Sequence, residues 1–223
     1  MRGWLACVLQ GGLWLLGMGS AYATDMIALR YVDQDPGDPP YLTRIFVTPD
    51  FMRMDSGEDS GDFVLLDRRQ RKVINVMRDN KLAMVFSPGA LPPKPTGWKS
   101  RLDASKATQG TRRFSLVVKG VVCSEGVAAP HAAPEAARAM AELKTVLAAT
   151  QYRVWKDSPQ EMQHDCDLAN QVWDSGATLT LGLPREEREF TGRTRQLESE
   201  SKQPVQPELF SVPDGMAAIN APS

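Results

Sequence analysis

The sequence predicts an α+β protein: a curved antiparallel β-sheet, an incomplete barrel, covered by two helices. Three observations predict it. Short apolar segments with period-two alternation follow one another between residues 42 and 86. A stretch at 133–150 has its apolar residues at helical spacing, and a helix start with its capping residues lies at 158–161.

In chain order, the first segment is "MRGWLACVLQGGLWLLGMGSAYATD", with one early Arg, an apolar run and small residues, which reads as a secretory signal peptide. Ala21 and Ala23 form an A-x-A site, so cleavage is expected after Ala23, giving residues 1–23 as the signal. A lipoprotein box at Leu5–Cys7 competes with this reading, but Cys7 precedes most of the apolar stretch instead of following it. No other run has the roughly 18 apolar residues a membrane span needs, so a soluble, exported, periplasmic protein is expected. The 200 residues from 24 onwards carry 25 basic and 27 acidic side chains, a balance of −2. They suffice for one domain, expected over 24–213 with a loose tail at 214–223. Such near-neutrality gives no electrostatic reason for nucleic acid or anionic membrane as the main partner.

Met26–Val32 is expected to begin the sheet. Leu42–Thr48 follows, with Ile45 and Val47 on one face and Phe46 on the other, because strand side chains alternate. Phe51–Asp55, Asp62–Asp67, Lys72–Met77 and Lys81–Phe86 continue an antiparallel meander, separated by the turn-rich breaks "TPD", "SGEDSG", "RRQR" and "RDN". Pro92, Pro93 and Pro95 exclude a central strand from "SPGALPPKPTGW". Arg112–Cys123 extends the sheet. Val64 and Leu66 oppose Phe63 and Leu65, and Ile74 and Val76 oppose Val73 and Met77. Both faces therefore need a cover, from helices or from a ligand.

The first helix places Met140, Leu143 and Leu147 together, with Pro134 near its start. The second is expected to start with Ser158 as N-cap, Pro159 in the first turn and Glu161 closing a capping box. Met162, Cys166, Ala169 and Trp173 then share a stripe. In an oxidising compartment Cys123 and Cys166 are expected to form a disulfide that staples this helix to a strand end, with a catalytic or metal-binding thiol as the alternative. Closing a loop of about 44 residues contributes roughly 4 kcal/mol in the chain-entropy model. The charged run Arg185–Lys202 favours strands over a helix, because Thr191 and Gly192 interrupt its middle.

No catalytic residue, metal ligand or cofactor emerges. His131 lies in an Ala/Pro segment and His164 on a polar helix face, and G-x-S-x-G, H-E-x-x-H and phosphate-cradling glycine loops are lacking in the sequence. Asp55, Glu58, Asp59 and Asp62 invite calcium, but Gly57 and Leu66 occupy positions where an EF-hand needs oxygen ligands. Arg68, Arg69, Arg71 and Lys72 read as a soluble hairpin tip, with an acidic partner as the competing reading.

The motifs "TPDFMRMD", "DFVLLDRRQRKVINV" and the closing "PELFSVPDGM" are similar to those of LolA/LolB-like bacterial envelope proteins, and closer still to uncharacterised periplasmic domains related to them. In those domains an R-M-D-like triplet ends a strand before a short hairpin, and an L-F-x-V-P-x-G closure follows near the end. Here that closure is Leu209, Phe210, Val212, Pro213 and Gly215. The resemblance spans Met26 to Met216 and implies an incomplete barrel wrapped around helices, whose apolar cavity accepts acyl chains in the lipoprotein carriers. The late helices and the cysteine pair depart from the carrier pattern.

From the residues themselves, the double-faced strands and the methionines Met52, Met54, Met77 and Met84, whose thioethers can line an adaptable surface, point to an apolar site. The expected function is a non-enzymatic periplasmic protein binding a lipid-like or other apolar group in a half-barrel cavity, a lipid or lipoprotein acyl chain being one candidate, without stable membrane insertion. The competing reading is an envelope interaction protein with a filled core that meets a protein partner through charged hairpins. A hydrolase is the third reading.

Overall fold

The computed structural model describes residues 25–221. The expected signal peptide and Cys7 lie outside the described residues. Twelve strands make one sheet: β1 (Asp25–Gln34), β2 (Tyr41–Val47), β3 (Phe51–Asp55), β4 (Phe63–Asp67), β5 (Lys72–Met77), β6 (Leu82–Phe86), β7 (Ser100–Ala104), β8 (Arg112–Val118), β9 (Val121–Ala129), β10 (Leu183–Glu189), β11 (Thr194–Pro204) and β12 (Ala217–Asn220). Two α-helices, α1 (Pro134–Asp157) and α2 (Asp165–Leu168), are inserted between β9 and β10. The strand order is β12-β6-β5-β4-β3-β2-β1-β11-β10-β9-β8-β7, antiparallel except where β12 lies parallel to β6. The sheet is therefore open, with β12 and β7 as edges, and is not closed into a barrel. Among the described residues no helix is long and apolar enough to cross a membrane.

The expected alternation holds. Leu29, Ile45, Val47, Met52, Leu66 and Val73 share one buried cluster with Ala136, Ala139, Met140 and Val146 of α1, while Leu143 and Leu147 pack on it half-buried. Met26, Ala28, Phe46, Phe63, Leu65 and Val76 form a second cluster on the other face. Its cover is neither a helix pair nor a ligand but the chain's own end, through Leu209 and Phe210 of the 3-10 turn Pro207–Phe210, with Val205, Val212 and Met216 around them. Arg53, 1% exposed, fixes that cover. It donates from Nε to Asp55 Oδ2 at 2.7 Å and from Nη1 to the Leu209 carbonyl at 3.1 Å, with its guanidinium 4.1 Å from the Phe63 ring centre. Asp55, expected on a solvated rim, is thus buried and also holds Arg44 at 2.7 Å.

The disulfide Cys123–Cys166 is present, its Cα atoms 4.9 Å apart, in a third cluster with Leu116, Val118 and Ala169. The second helix differs from expectation. Ser158 caps the C-terminus of α1, its N–H bonding the Trp155 carbonyl and its hydroxyl the Val154 carbonyl. A 3-10 turn (Gln160–Met162), the single turn of α2 and a π turn (Ala169–Trp173) replace a continuous helix. The segment follows β9 instead of its own axis, because the disulfide and the Asn170 side-chain amide on the Cys123 carbonyl (3.1 Å) pin it there. Met162 consequently leaves the apolar stripe and is exposed.

Three further segments differ. Residues 112–123 are not one strand but the β8–β9 hairpin, turning at Lys119 and Gly120 with φ of 49° and 88°, both in the left-handed region a two-residue primed turn needs. Ser100–Ala104, which the sequence reading leaves unassigned between the proline loop and Arg112, forms the edge strand β7. Ala217–Asn220, in the segment expected to be a loose tail, pairs with β6. The run 185–202 is strand, as Gly192 (φ 91°) sits in the turn between β10 and β11.

Reduction of the disulfide is expected to lower stability by about 4 kcal/mol, read from urea unfolding with and without reductant. Arg53→Ala leaves the buried Leu209 carbonyl without its side-chain donor and takes one donor from Asp55, which keeps Arg44 and the Gly57 N–H, and should cost about 2–3 kcal/mol in the same measurement. A loss below about 1 kcal/mol would show that the C-terminal cover holds without Arg53.

Candidate functional site

All four methionines singled out from the sequence lie on the α1 side of the sheet. Met52 stands between Val47 and Leu66 in one cross-strand row, 2% exposed and within the filled core. Met54 occupies the next row, beside Ile45 and Val64, half-buried against the same cluster. Met84 continues that row beyond Asn75, and Met77 lies one step further along β5. Both are half-buried. The structure therefore gathers the four on one face but not around a common hollow.

One hollow on this face, of about 400 Å³, lies where α1 crosses the β4–β5 hairpin. Ala141 is its half-buried apolar wall, with Leu66 and Val146 packed in the core directly beneath (0% and 2% exposed); Thr145 and Glu142 line the helix side, and Arg68, Arg71 and Arg138 stand at the rim. Of the four methionines, Met52 is the direct neighbour of Leu66 in the β3–β4 register. Arg68, expected at a solvated hairpin tip, is a strut: it donates to Glu142 at 2.6 and 3.0 Å and to the carbonyls of Thr48 (3.0 Å) and Pro49 (3.2 Å). This contact sets the height of α1 over the hairpin.

A second, polar hollow of about 190 Å³ lies on the same face between α1, the 169–181 segment and β10–β11. Lys144, Gln171, Thr178, Glu187, Glu189, Arg193 and Arg195 contribute to it. Two of its lining residues, Arg195 and Glu187 on β11 and β10, stand in one row of directly opposed residues that the buried Asp33 of β1 completes behind them. Arg195 donates to both oxygens of Asp33, at 2.7 and 2.8 Å, while the Thr43 hydroxyl donates to the same carboxylate at 2.7 Å. Tyr31, whose ring lies under Arg195, donates to the Pro184 carbonyl at 2.9 Å, and its burial raises its pKa. Burial works to raise the Asp33 pKa, but hydrogen bonds and charge from Arg195, with Thr43 and Arg193, outweigh it and hold the carboxyl below its usual range. Glu187 makes no such bond; burial pushes its pKa up, and the nearby Lys144 ammonium offsets this only in part.

Sequence reading missed Arg195, Asp33 and Glu187 as a unit, since the three lie on strands whose pairing spans most of the chain. A weak signal existed in Glu187 and Arg195 flanking Thr191–Gly192 at hairpin spacing. The histidines stay apart: His131 is exposed in the turn before α1, and His164 precedes α2 with its ring edge-on to Phe190 at 5.5 Å. Four aromatic residues, Trp98, Tyr152, Trp155 and Trp173, cluster at the C-terminal end of α1, but the three indole N–H groups are bonded to Asp174 or to backbone carbonyls. They clamp the loop at 87–98 instead of facing a ligand.

No protein-family model matches the chain, and no curated protein matches it by sequence. Among solved structures it is similar to PNGF-II in a P21 and in a C2 crystal form. Both are 10% identical, with TM-scores of 0.38 and 0.36, over 88% of this chain and 32% and 31% of those chains. The chain thus spans about a third of the length of these neighbours, and at such scores the likeness assigns neither fold family nor function.

The two kinds of carboxyl titrate in opposite senses. Asp33 has a lowered folded pKa, so its stabilisation is full above the unfolded value near 3.9 and is lost as pH falls through the folded value. Glu187 has a raised one, so the folded state loses stability as pH rises from about 4.3 upwards through the folded value. Glu187→Gln should therefore gain stability relative to the parent between pH 4 and pH 7 in urea unfolding. A difference independent of pH would show that Glu187 is not held protonated by its burial.

Proposed function

We propose that the protein is a non-enzymatic, exported envelope protein of LolA/LolB-like descent that holds a lipid-like or other apolar group against the α1-covered face of its sheet. The hollow between α1 and the β4–β5 hairpin carries this reading, because Ala141 and the aliphatic parts of Thr145 and the arginines line it over the packed Leu66 and Val146, and its volume of about 400 Å³ falls within the range of small-molecule sites. The methionine-bearing strands on the same face supply adaptable apolar surface next to it. A periplasmic location fits the expected signal peptide and a disulfide, and holding a ligand calls for no reacting group. The second reading, a filled-core protein that meets a partner through its charged hairpins, is favoured by Met52 being fully packed and by Arg69, 76% exposed, being held outward by Asp50.

Filling the hollow separates the two. Thr145 is exposed on α1 and lines the hollow, so Thr145→Trp should leave the unfolding midpoint unchanged while abolishing the acyl-containing adduct seen by native mass spectrometry of gently purified protein. An adduct retained by this variant, or a bare mass in the parent after incubation with lipid vesicles, would overturn the proposal. A photo-crosslinker at Arg69 that captures one protein reproducibly, with no adduct in the parent, would establish the second reading.

A further inference from the structure

The three arginines at the rim of the α1–hairpin hollow differ in what they have left to offer. Arg68 is buried to 8% side-chain exposure, and its donors go to Glu142, to the Thr48 and Pro49 carbonyls and, at 3.5 Å, to Glu135. It neutralises Glu142 and faces no ligand. Arg71 ends the β4–β5 turn, is exposed, and makes no hydrogen bond or ion pair among the described residues. Arg138 is paired with Glu135 at 2.9 Å, three residues back on α1, with both side chains about half exposed or more. Surface pairs of this kind are weak and readily exchanged for a better partner. Of the charged side chains that line the hollow, Arg68 is spent on Glu142, while Arg71 and Arg138 remain, Arg138 with only its exposed Glu135 pair to give up, beside Ala141 and above the packed Leu66 and Val146.

We infer that the hollow takes a single-chain amphiphile with a carboxylate head, its chain against Ala141 and its head between Arg71 and Arg138. This rests on the apolar-site reading proposed above and adds the chemistry of the head. A single chain is indicated because the volume lies towards the low end for ligand sites. A carboxylate is indicated because its two oxygens can be shared between the forks of Arg71 and Arg138, the two rim arginines not spent on Glu142. The planar guanidinium fork accepts a carboxylate through two parallel bonds, and the aliphatic stems of the arginines extend the apolar wall. Exchange of Glu135 for the ligand head keeps Arg138 paired throughout.

The test is calorimetric titration of the full purified chain with decanoate, 1-decanol and acetate, each below its aggregation concentration. Decanoate should bind about tenfold or more tighter than decanol, the ratio expected for one or more charge-assisted hydrogen bonds, and acetate should not bind measurably. The double variant Arg71→Gln, Arg138→Gln changes only exposed side chains; it should bring decanoate down to the decanol level and leave decanol unchanged. Equal affinity of decanol and decanoate for the parent overturns the carboxylate head while leaving the apolar site standing. Acetate binding as tightly as decanoate makes the rim a bare anion site and also overturns the inference. Failure of both ten-carbon probes removes the apolar site itself, and the inference with it.

Discussion

The two halves of the sheet meet at one seam, the antiparallel pairing of β1 with β11 from Asp25↔Pro204 to Gln34↔Thr194, and everything else is placed by its register. The seam carries a register shift between Arg30 and Tyr31. Slipping a pairing by one residue moves every side chain to the opposite face. Asp33 and Arg195 sit directly opposite across the seam, and their two-pronged contact, closed by Thr43, is satisfied in only one register. A buried ion pair is a poor source of net stability, because desolvation offsets its Coulombic attraction. Its value here is specificity: a slipped register would bury Asp33 without a donor. With the register set, Tyr31 and Leu197 join the core on the α1 side, and Glu187 comes to lie beside Arg195 on the third strand.

Strands apolar on both faces oblige the chain to cover both, and it does so with unlike elements. One cover is a 24-residue helix, whose small residues Ala136, Ala137 and Ala139 let its axis approach the sheet closely. The other is the irregular run after β11, which has no regular hydrogen-bond ladder of its own and depends on Arg53 to receive the Leu209 carbonyl. This explains why the "R-M-D" triplet and the "L-F-x-V-P-x-G" closure occur together, since the arginine of one holds the backbone of the other, 156 residues away. The motifs that carried the resemblance are thus two sides of one packing contact and say nothing by themselves about a ligand.

Much of this was legible because it is local. Period-two alternation placed β2 to β6 and both apolar faces, the prolines kept 88–95 out of the sheet, and the single cysteine pair met as expected. What was not legible is what tertiary contacts decide. A Lys-Gly turn lacks the Asn or Asp that usually marks a primed hairpin, so β8 and β9 read as one strand. Ser158–Pro159–Gln160–Glu161 satisfies every local rule for a helix start, yet the disulfide and Asn170 hold the following residues along β9, and only one α-helical turn survives. Ser100–Ala104 and Ala217–Asn220 are edge strands with little apolar pattern, and pairing partners define them more than their own residues. The methionines are legible as adaptable apolar side chains but their common face is a matter of strand register, and a hollow depends on how far α1 stands off the hairpin.

That standoff is set within the charge run "DRRQRK". The residues look alike in the sequence but the hairpin separates them. Asp67 closes the turn by accepting the Gln70 N–H at 2.8 Å, and Arg69 turns outward to Asp50. Arg68 points the other way, under α1, where Glu142 and two carbonyls fix it 74 residues distant in sequence. Were Arg68 a small apolar residue, α1 would lose its strut to the hairpin and Ala141 could settle closer to it, beside the already packed Leu66 and Val146. Because a guanidinium with its full set of partners cannot be compressed, it props the helix and leaves a hollow beside it, with Arg71 free at the entrance. The charge run is therefore neither a uniform solvated rim nor a binding patch as a whole: one arginine builds the hollow, one is tied off, and one remains available to whatever enters.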